Sequence, residues 1–224
     1  MKSRQFLGVR IDDFVTRHVV RTLRRRGWRE AIVPFTGYGT DDHVRVLGRL
    51  ILRPTKPRSY LGMYAETFLQ RRGWRNFITA PVPRRPVTVK VGEKDLELVT
   101  DGGGYIDVTV RTSGMTDGWQ HVTLSTDEAP PTKAPVQVVG PDEQFGLISD
   151  IDDTILSTWL PRILLAVWNT FFLTEGNRQA VPGMARLYQK LLAGNPGAPI
   201  VYVSTGSWNT LPFLNRFMKR HGFP

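Results

Sequence analysis

An apolar stretch that runs into three acidic residues, at residues 145–156, constrains the fold of this chain more than any other feature. Its first residues are apolar enough for the interior of a β-sheet, and Asp150, Asp152 and Asp153 follow directly. In open α/β sheets, ligands bind at the edge where such strands end. Because neighbouring carboxylates repel one another, we expect a cation beside them, and oxygen ligands suit Mg²⁺ or Ca²⁺.

This acidic cluster suits phosphorus chemistry. An aspartate beside a bound Mg²⁺ can attack a phosphorus atom, while an acid two residues further on donates a proton to the leaving oxygen and then activates water. The alternative interpretation is a solvated turn without chemistry. A calcium loop between two helices is excluded, because its required Gly and Glu positions hold Ile155 and Pro161.

Two motifs carry a resemblance to a known family. Residues 150–154, Asp-Ile-Asp-Asp-Thr, match the Asp-x-Asp-x-Thr motif of the haloacid dehalogenase superfamily of phosphohydrolases. Together with residues 202–209, Tyr-Val-Ser-Thr-Gly-Ser-Trp-Asn, the wider string 149–155 resembles the Mg²⁺-dependent phosphatidate phosphatase family of the fungal actin-patch enzyme and its bacterial relatives. The resemblance implies a haloacid dehalogenase-like, Rossmann-like α/β domain that uses Mg²⁺.

The resemblance also implies roles for individual residues. Asp150 would be the nucleophile and a Mg²⁺ ligand, and Asp152 the acid/base and second Mg²⁺ ligand. Thr154 would support the loop, and Ser204 would hold the transferred phosphoryl group. The further candidates for substrate binding are Gly206, Ser207 and Arg178.

One departure from the superfamily pattern bears on activity. The superfamily completes its site with a later lysine and one or two acids, but residues 176–224 contain no Asp or Glu, and Lys219 comes too early for the lysine. We therefore expect a truncated catalytic domain, with no more than trace phosphatase activity from these 224 residues.

Composition limits the class of protein and its location. With 41% hydrophobic residues the chain suits a globular fold, and the absence of cysteine excludes disulfides and thiolate metal sites. No apolar run approaches the ~20 residues of a membrane span, and no signal peptide is apparent. We expect a cytoplasmic protein, peripheral to a membrane if its positive charge binds one.

That positive charge is concentrated in the first part of the chain. Residues 1–90 hold 20 Lys and Arg against 6 Asp and Glu, whereas residues 91–224 carry a net charge of −4. A cationic surface attracts anionic membranes and nucleic acid alike. An arginine-rich but merely solvated surface is the equally open alternative.

The pattern of residues predicts three regions. Residues 1–29 contain a basic amphipathic helix, which either docks on the following domain or lies on an anionic membrane. Residues 30–143 predict an antiparallel β-sandwich of about seven strands, with a basic insertion at 54–85. Residues 144–224 would form the truncated Rossmann-like α/β domain.

Two functions follow from these features. The first is a Mg²⁺-dependent phosphatidate phosphatase-like enzyme that acts on a lipid phosphate through an aspartyl-phosphate. For it we expect an anionic membrane as a partner and no nucleic acid. The alternative is a non-catalytic module that binds anionic lipid or nucleic acid through its basic region.

Overall fold

The computed structural model describes residues 18–54, 79–157, 179–206 and 208–224, which fall into two compact units divided between Pro141 and Asp142. The N-terminal unit contains, in chain order, α1 (residues 18–25), β1 (Arg29–Pro34), β2 (Gly37–Gly39), β3 (His43–Arg53), β4 (Ala80–Pro81), β5 (Pro86–Val91), β6 (Lys94–Val99), β7 (Tyr105–Arg111), β8 (Gly118–Ser125) and β9 (Thr132–Val138). The C-terminal unit contains β10 (Leu147–Asp150), α2 (Met184–Ala193), β11 (Ile200–Val203), a 3₁₀ turn (Trp208–Thr210) and α3 (Leu211–Arg220).

The nine strands described for the N-terminal unit form one mixed sheet. Its order is β1-β3-β2-β9-β8-β5-β6, and β4 and β7 pair with β3 as well. Neighbouring strands run antiparallel except β2 and β9, which are parallel.

Alternation of side chains builds the core of this sheet. On β3, Val44 and Val46 are fully buried, whereas Arg45 between them faces outward, as a period of two residues requires. Inward-facing residues of other strands, such as Val89 and Val136, join the same core. Each buried aliphatic side chain of this kind contributes about 1.5–3 kcal/mol to stability.

Helix α1 packs on that core. Val20 and Leu23 contact it with their partly buried side chains, as expected for the apolar side of an amphipathic helix. For the described part of the helix, the structure therefore favours docking on the domain over exposure of the apolar side to a membrane.

Strand β2 joins the sheet because of its glycines. A Cβ atom at Gly37 would lie 2.3 Å from the carbonyl oxygen of Arg45, and one at Gly39 would lie 2.1 Å from that of His43. Only glycine permits so close an approach of the two backbones. The resulting short strand pairs antiparallel with β3 on one side and parallel with β9 on the other.

The C-terminal unit is small and has its own core. Strands β10 and β11 pair in parallel, and α2 and α3 supply the buried residues Tyr188, Leu214 and Phe217. Pro212 in the first turn of α3 fits the start of a helix, since its nitrogen needs no intrahelical partner there.

The predicted fold class is wrong. Residues 30–143 contain nine described strands rather than about seven, and these form one mixed sheet rather than an antiparallel sandwich, because β2 inserts parallel to β9. The described C-terminal residues form a two-stranded sheet rather than a Rossmann-like α/β domain, whose parallel strands are buried on both faces. Here Ile148, Val201 and Val203 are 76%, 44% and 49% exposed on one face.

Several predicted features lie outside the described residues. These are the first part of the N-terminal helix, most of the insertion 54–85, and the candidates Arg178 and Ser207. In the described parts of the chain, no helix has both the length and the apolar character needed to cross a membrane.

Candidate active site

Two parallel strands place the candidate residues at one edge of the small sheet. Leu147 of β10 pairs with Ile200 of β11, and Asp150 pairs with Val203, so both strands end level with each other. The backbone N–H of Ile151 then donates to the carbonyl oxygen of Val203 at 2.9 Å. The loops that follow the two strands are therefore adjacent.

The side chains of Asp152 and Ser204, one from each loop, form a direct hydrogen bond. The Ser204 hydroxyl donates to Oδ2 of Asp152 at 3.1 Å, although 52 positions separate the two residues in the chain. The backbone N–H of Gly206 donates to Oγ of Ser204 at 3.0 Å. A carboxylate, a hydroxyl and an N–H group are thus connected in one short chain of hydrogen bonds.

The acidic loop is held by its own backbone and by two buried side chains. The N–H of Asp153 donates to the carbonyl oxygen of Leu156 at 2.9 Å, and that of Ile155 donates to Ile151 at 3.1 Å. Ile155 and Leu156 are fully buried. The loop therefore presents exposed Asp150 and half-buried Asp152 from a fixed base.

Asp153 and Thr154 have different positions in this loop. Asp153 adopts a left-handed backbone conformation with φ of 60°, which Asp tolerates better than most residues. Thr154 is half-buried next to it. The backbone conformation of Asp153 therefore shapes the turn.

Two hydrogen bonds of the buried Ser149 hydroxyl support strand β10. The Ser149 hydroxyl donates to the carbonyl oxygen of Asp150 at 2.8 Å and shares a second hydrogen bond of 2.7 Å with the hydroxyl of Tyr188. This contact is not predictable from the sequence, in which Tyr188 is one of the residues on the apolar side of α2. Its hydroxyl nevertheless connects α2 to the strand that carries Asp150.

Tyr202 lies on the neighbouring strand. Burial raises the pKa of its hydroxyl to about 12, with a smaller contribution from Tyr188. The hydroxyl donates to the carbonyl oxygen of Pro224 at 3.1 Å. The Tyr202 hydroxyl is therefore neutral near pH 7, and its hydrogen bond to Pro224 gives the side chain a structural role.

The acidic segment offers carboxylate oxygens, the ligand type that a magnesium ion prefers. Within the described ranges no group of three or more His, Cys, Asp or Glu is placed to hold a metal, and Asp150 and Asp152 are the two carboxylates predicted from the sequence as ligands. Mg²⁺ is usually bound by one or two carboxylates and completes its shell with water and substrate phosphate oxygens. Two carboxylates in a partly open loop suit that chemistry.

Gly206 matters for access to Ser204. A Cβ atom at this position would lie 3.1 Å from Oγ of Ser204 and 3.7 Å from Oγ1 of Thr210. Glycine therefore leaves room beside the hydroxyl. Of the seven residues predicted for the site, the structure places Asp150 at the end of β10, Asp152 and Thr154 in the loop that follows it, and Ser204 and Gly206 in the adjacent loop after β11.

Some arginines of the N-terminal unit pair with acidic residues of the same unit. Arg24 and Arg85 both pair with Glu30 and with Glu128. Arg45 forms two hydrogen bonds to the Asp107 carboxylate, at 2.8 and 2.7 Å, which lower the pKa of Asp107 and raise that of Arg45. These arginines are therefore not open sites for an anionic partner.

Comparison with known proteins gives one informative match. Residues 145–224 match the family described as phosphatidate phosphatase APP1, catalytic domain. The matched range includes both loops and supports a phosphatidate phosphatase-like function for this part of the chain. No curated protein matches the sequence.

Similarity to solved structures is weak. A carbohydrate acetylesterase from Xanthomonas citri, XAC1771, is similar over 76% of this chain and 40% of its own, with 12% identity and a TM-score of 0.30. The chain thus spans less than half the length of that structure. A likeness at this level assigns neither a fold nor an activity.

Proposed function

We propose that the C-terminal unit is a phosphatidate phosphatase-like phosphohydrolase that acts through an aspartyl-phosphate on Asp150. The observation that carries the proposal is the hydrogen bond between Ser204 and Asp152, which joins the acidic loop to the second loop. The family match over residues 145–224 supports the same reaction class and a lipid phosphate as substrate.

The exposed carboxylate of Asp150 is the nucleophile in this mechanism. It attacks phosphorus, and the bond between phosphorus and the alcohol oxygen of the substrate breaks. Asp152 donates a proton to that leaving oxygen. Asp152 then removes a proton from water, which attacks the aspartyl-phosphate, releases inorganic phosphate and restores Asp150.

Ser204 and Gly206 have a positioning role. The Ser204 hydroxyl and nearby backbone N–H groups are donors suited to phosphoryl oxygens, and the glycine at 206 keeps the hydroxyl accessible. In the absence of substrate, the same hydroxyl holds Asp152 in the loop. Arg178 and Ser207 stay predictions of the sequence.

Asp150 and Asp152 would also hold Mg²⁺. When bound, the ion offsets the negative charge that develops on the phosphoryl oxygens. The expected oxygen-donor set distinguishes Mg²⁺ from softer metals such as Cu⁺.

The alternative of a non-catalytic module for anionic lipid or nucleic acid has less support. Arg24, Arg45 and Arg85 are paired with acids and are not free to bind an anionic partner, and most of the basic insertion at 54–85 lies outside the described residues. A cytoplasmic location and contact with a membrane stay predictions of the sequence.

Phosphate release from radiolabelled phosphatidate in mixed micelles tests the proposal. We expect a Mg²⁺-dependent rate, even if slow, that Asp150→Asn and Asp152→Asn lower by at least ~10³-fold. Ser204→Ala should lower it by about 10–100-fold, because one donor to the phosphoryl group is lost. Asp142→Asn, an exposed acid of the same unit, is the matched control and should keep the full rate.

Two results would contradict the mechanism. One is phosphate release that does not depend on Mg²⁺, and the other is an equal rate in the Asp150→Asn variant. Acid quenching with labelled substrate should also trap a phosphorylated protein in the parent chain, and no label should remain on Asp150→Asn.

A further inference from the structure

A row of outward-facing side chains crosses four strands of the N-terminal unit. Trp119 of β8 is the register partner of Gln137 on β9, which pairs with Tyr38 on β2, which pairs with Arg45 on β3. We call these four residues the aromatic row. Neighbouring strands lie ~4.8 Å apart, so the two aromatic residues are separated by roughly 9–10 Å across the sheet.

Both aromatic side chains of the row are open to solvent. Trp119 is 61% exposed and Tyr38 is 48% exposed, whereas the residues before and after Gln137 are buried in the core. An exposed Trp on a strand that otherwise alternates regularly forms no part of the core, so stability does not explain it. Two such side chains in register form a platform rather than scattered apolar surface.

Tyr38 is fixed in place by its neighbour in the row. Arg45 donates to the Tyr38 hydroxyl at 2.9 Å, and its guanidinium carbon lies 6.0 Å from the centre of the ring. Asp107 in turn holds Arg45 through two hydrogen bonds. A ring held in this way loses little side-chain entropy when a ligand stacks on it.

The electrostatics of the surroundings disfavour an anionic ligand. The charge of Arg45 is balanced by Asp107, and further acids lie at the strand ends beside the row. Asp41 and Asp42 occupy the turn from β2 to β3, and Asp117 directly precedes β8. Against these acids stand exposed Arg111, opposite His43 in the sheet, and Lys94, whose Nζ donates to the carbonyl oxygen of Arg111. The charges beside the row are therefore mixed in sign, and the row is not the uniformly cationic surface that nucleic acid and anionic lipid require.

These features fit a chain of neutral sugars. Aromatic rings stack on the C–H faces of sugar rings, and sugar hydroxyls need both donors and acceptors beside them. The Gln137 amide supplies both, and the carboxylates at the rim supply further acceptors. We propose that the aromatic row is a binding platform for a neutral oligosaccharide, with one sugar ring on Trp119 and another on Tyr38.

Calorimetric titration of the 224-residue chain with cellohexaose, xylohexaose, chitohexaose and maltohexaose tests this site. We expect at least one of the four to bind, and expect Trp119→Ala and Tyr38→Ala each to weaken that binding by about tenfold. Val99→Ala, at a 60% exposed position on β6 outside the row, is the matched control and should keep the affinity of the parent chain.

Both aromatic side chains are exposed, so we expect both variants to keep the circular dichroism spectrum of the parent chain; if one fails to fold, the other decides. The proposal is overturned if none of the four sugars binds at millimolar concentration, or if both variants bind as tightly as the parent. It is equally overturned if a thymidine oligonucleotide or phosphatidate-containing vesicles, rather than a sugar, require Trp119 for binding.

Discussion

At the scale of single residues, the three acids of the loop after β10 have different tasks. Asp152 accepts a hydrogen bond from Ser204, Asp150 is exposed at the end of its strand, and Asp153 forms the turn with its left-handed backbone. The sequence presents all three as one acidic cluster. The backbone conformation distinguishes the three residues, because only Asp153 has a positive φ, which is sterically unfavourable.

We expect Asp153→Asn to keep the stability of the parent chain and Asp153→Val to lower the free energy of unfolding by about 1–2 kcal/mol. Asn adopts the left-handed conformation as readily as Asp, whereas a β-branched residue is strained there. Urea denaturation followed by circular dichroism measures the difference. Asp142→Val, at an exposed position without positive φ, is the control and should change stability by less than ~0.5 kcal/mol. Equal stability of the two Asp153 variants would contradict the assignment.

At the scale of elements, a buried carboxylate connects α1 to the sheet. The Glu30 side chain on β1 is completely buried and pairs with Arg24 of α1 and with Arg85 before β5, and the Thr126 hydroxyl also donates to it at 3.2 Å. The two arginines also reach Glu128, which is half-exposed. One buried acid thus holds a helix, a strand and two connections together.

Glu30→Gln should lower the free energy of unfolding by about 3 kcal/mol, because it leaves two partly buried guanidinium groups without their buried counter-charge. Glu128→Gln is the matched control, and its effect should stay below ~1 kcal/mol, since that carboxylate is open to solvent. Chemical denaturation of the three proteins at pH 7 gives both values. An equal effect of the two substitutions would show that the burial of Glu30 does not increase its contribution to the free energy of unfolding.

The individual strands differ in how well the sequence predicts them. The sequence predicted strands within residues 30–143, and the alternation that indicates them is present in β3, where His43–Arg53 buries every second residue along most of its length. Strand β2 was not predicted, because Gly37 and Gly39 have low strand propensity. These glycines are needed because they let the β2 backbone approach the β3 backbone closely. The contact of Ser149 with Tyr188 was missed because it joins residues 39 positions apart.

At the scale of the whole molecule, each unit has a separate hydrophobic core. The larger core consists of residues up to Val138, and the smaller one begins at Ile151 and includes Phe223 near the end of the chain. The sequence predicted a division near this point, but it failed to predict the single mixed sheet, which depends on one parallel pairing between distant segments.

The described residues up to Pro141 belong to one unit, so the fragment 1–141 should fold without residues 142–224. We expect a β-sheet circular dichroism spectrum and a cooperative thermal transition, because their buried side chains contact one another within the same unit. Val44→Asp, which places a charge at a fully buried position, is the control that should abolish the transition. A non-cooperative or unfolded 1–141 fragment would contradict two separate cores.

The ladder between β10 and β11 also bears on how the C-terminal unit can vary. Asp150 and Val203 are register partners, and Ser204 follows immediately, so backbone pairing alone sets the spacing between the two loops. Insertions or deletions between the end of the acidic loop at Leu156 and the start of β11 leave that spacing intact, whereas loss of one residue inside either strand would turn its side chains to the opposite face. Diversity among proteins of this kind should therefore accumulate between the strands, and engineering of substrate preference has most freedom there.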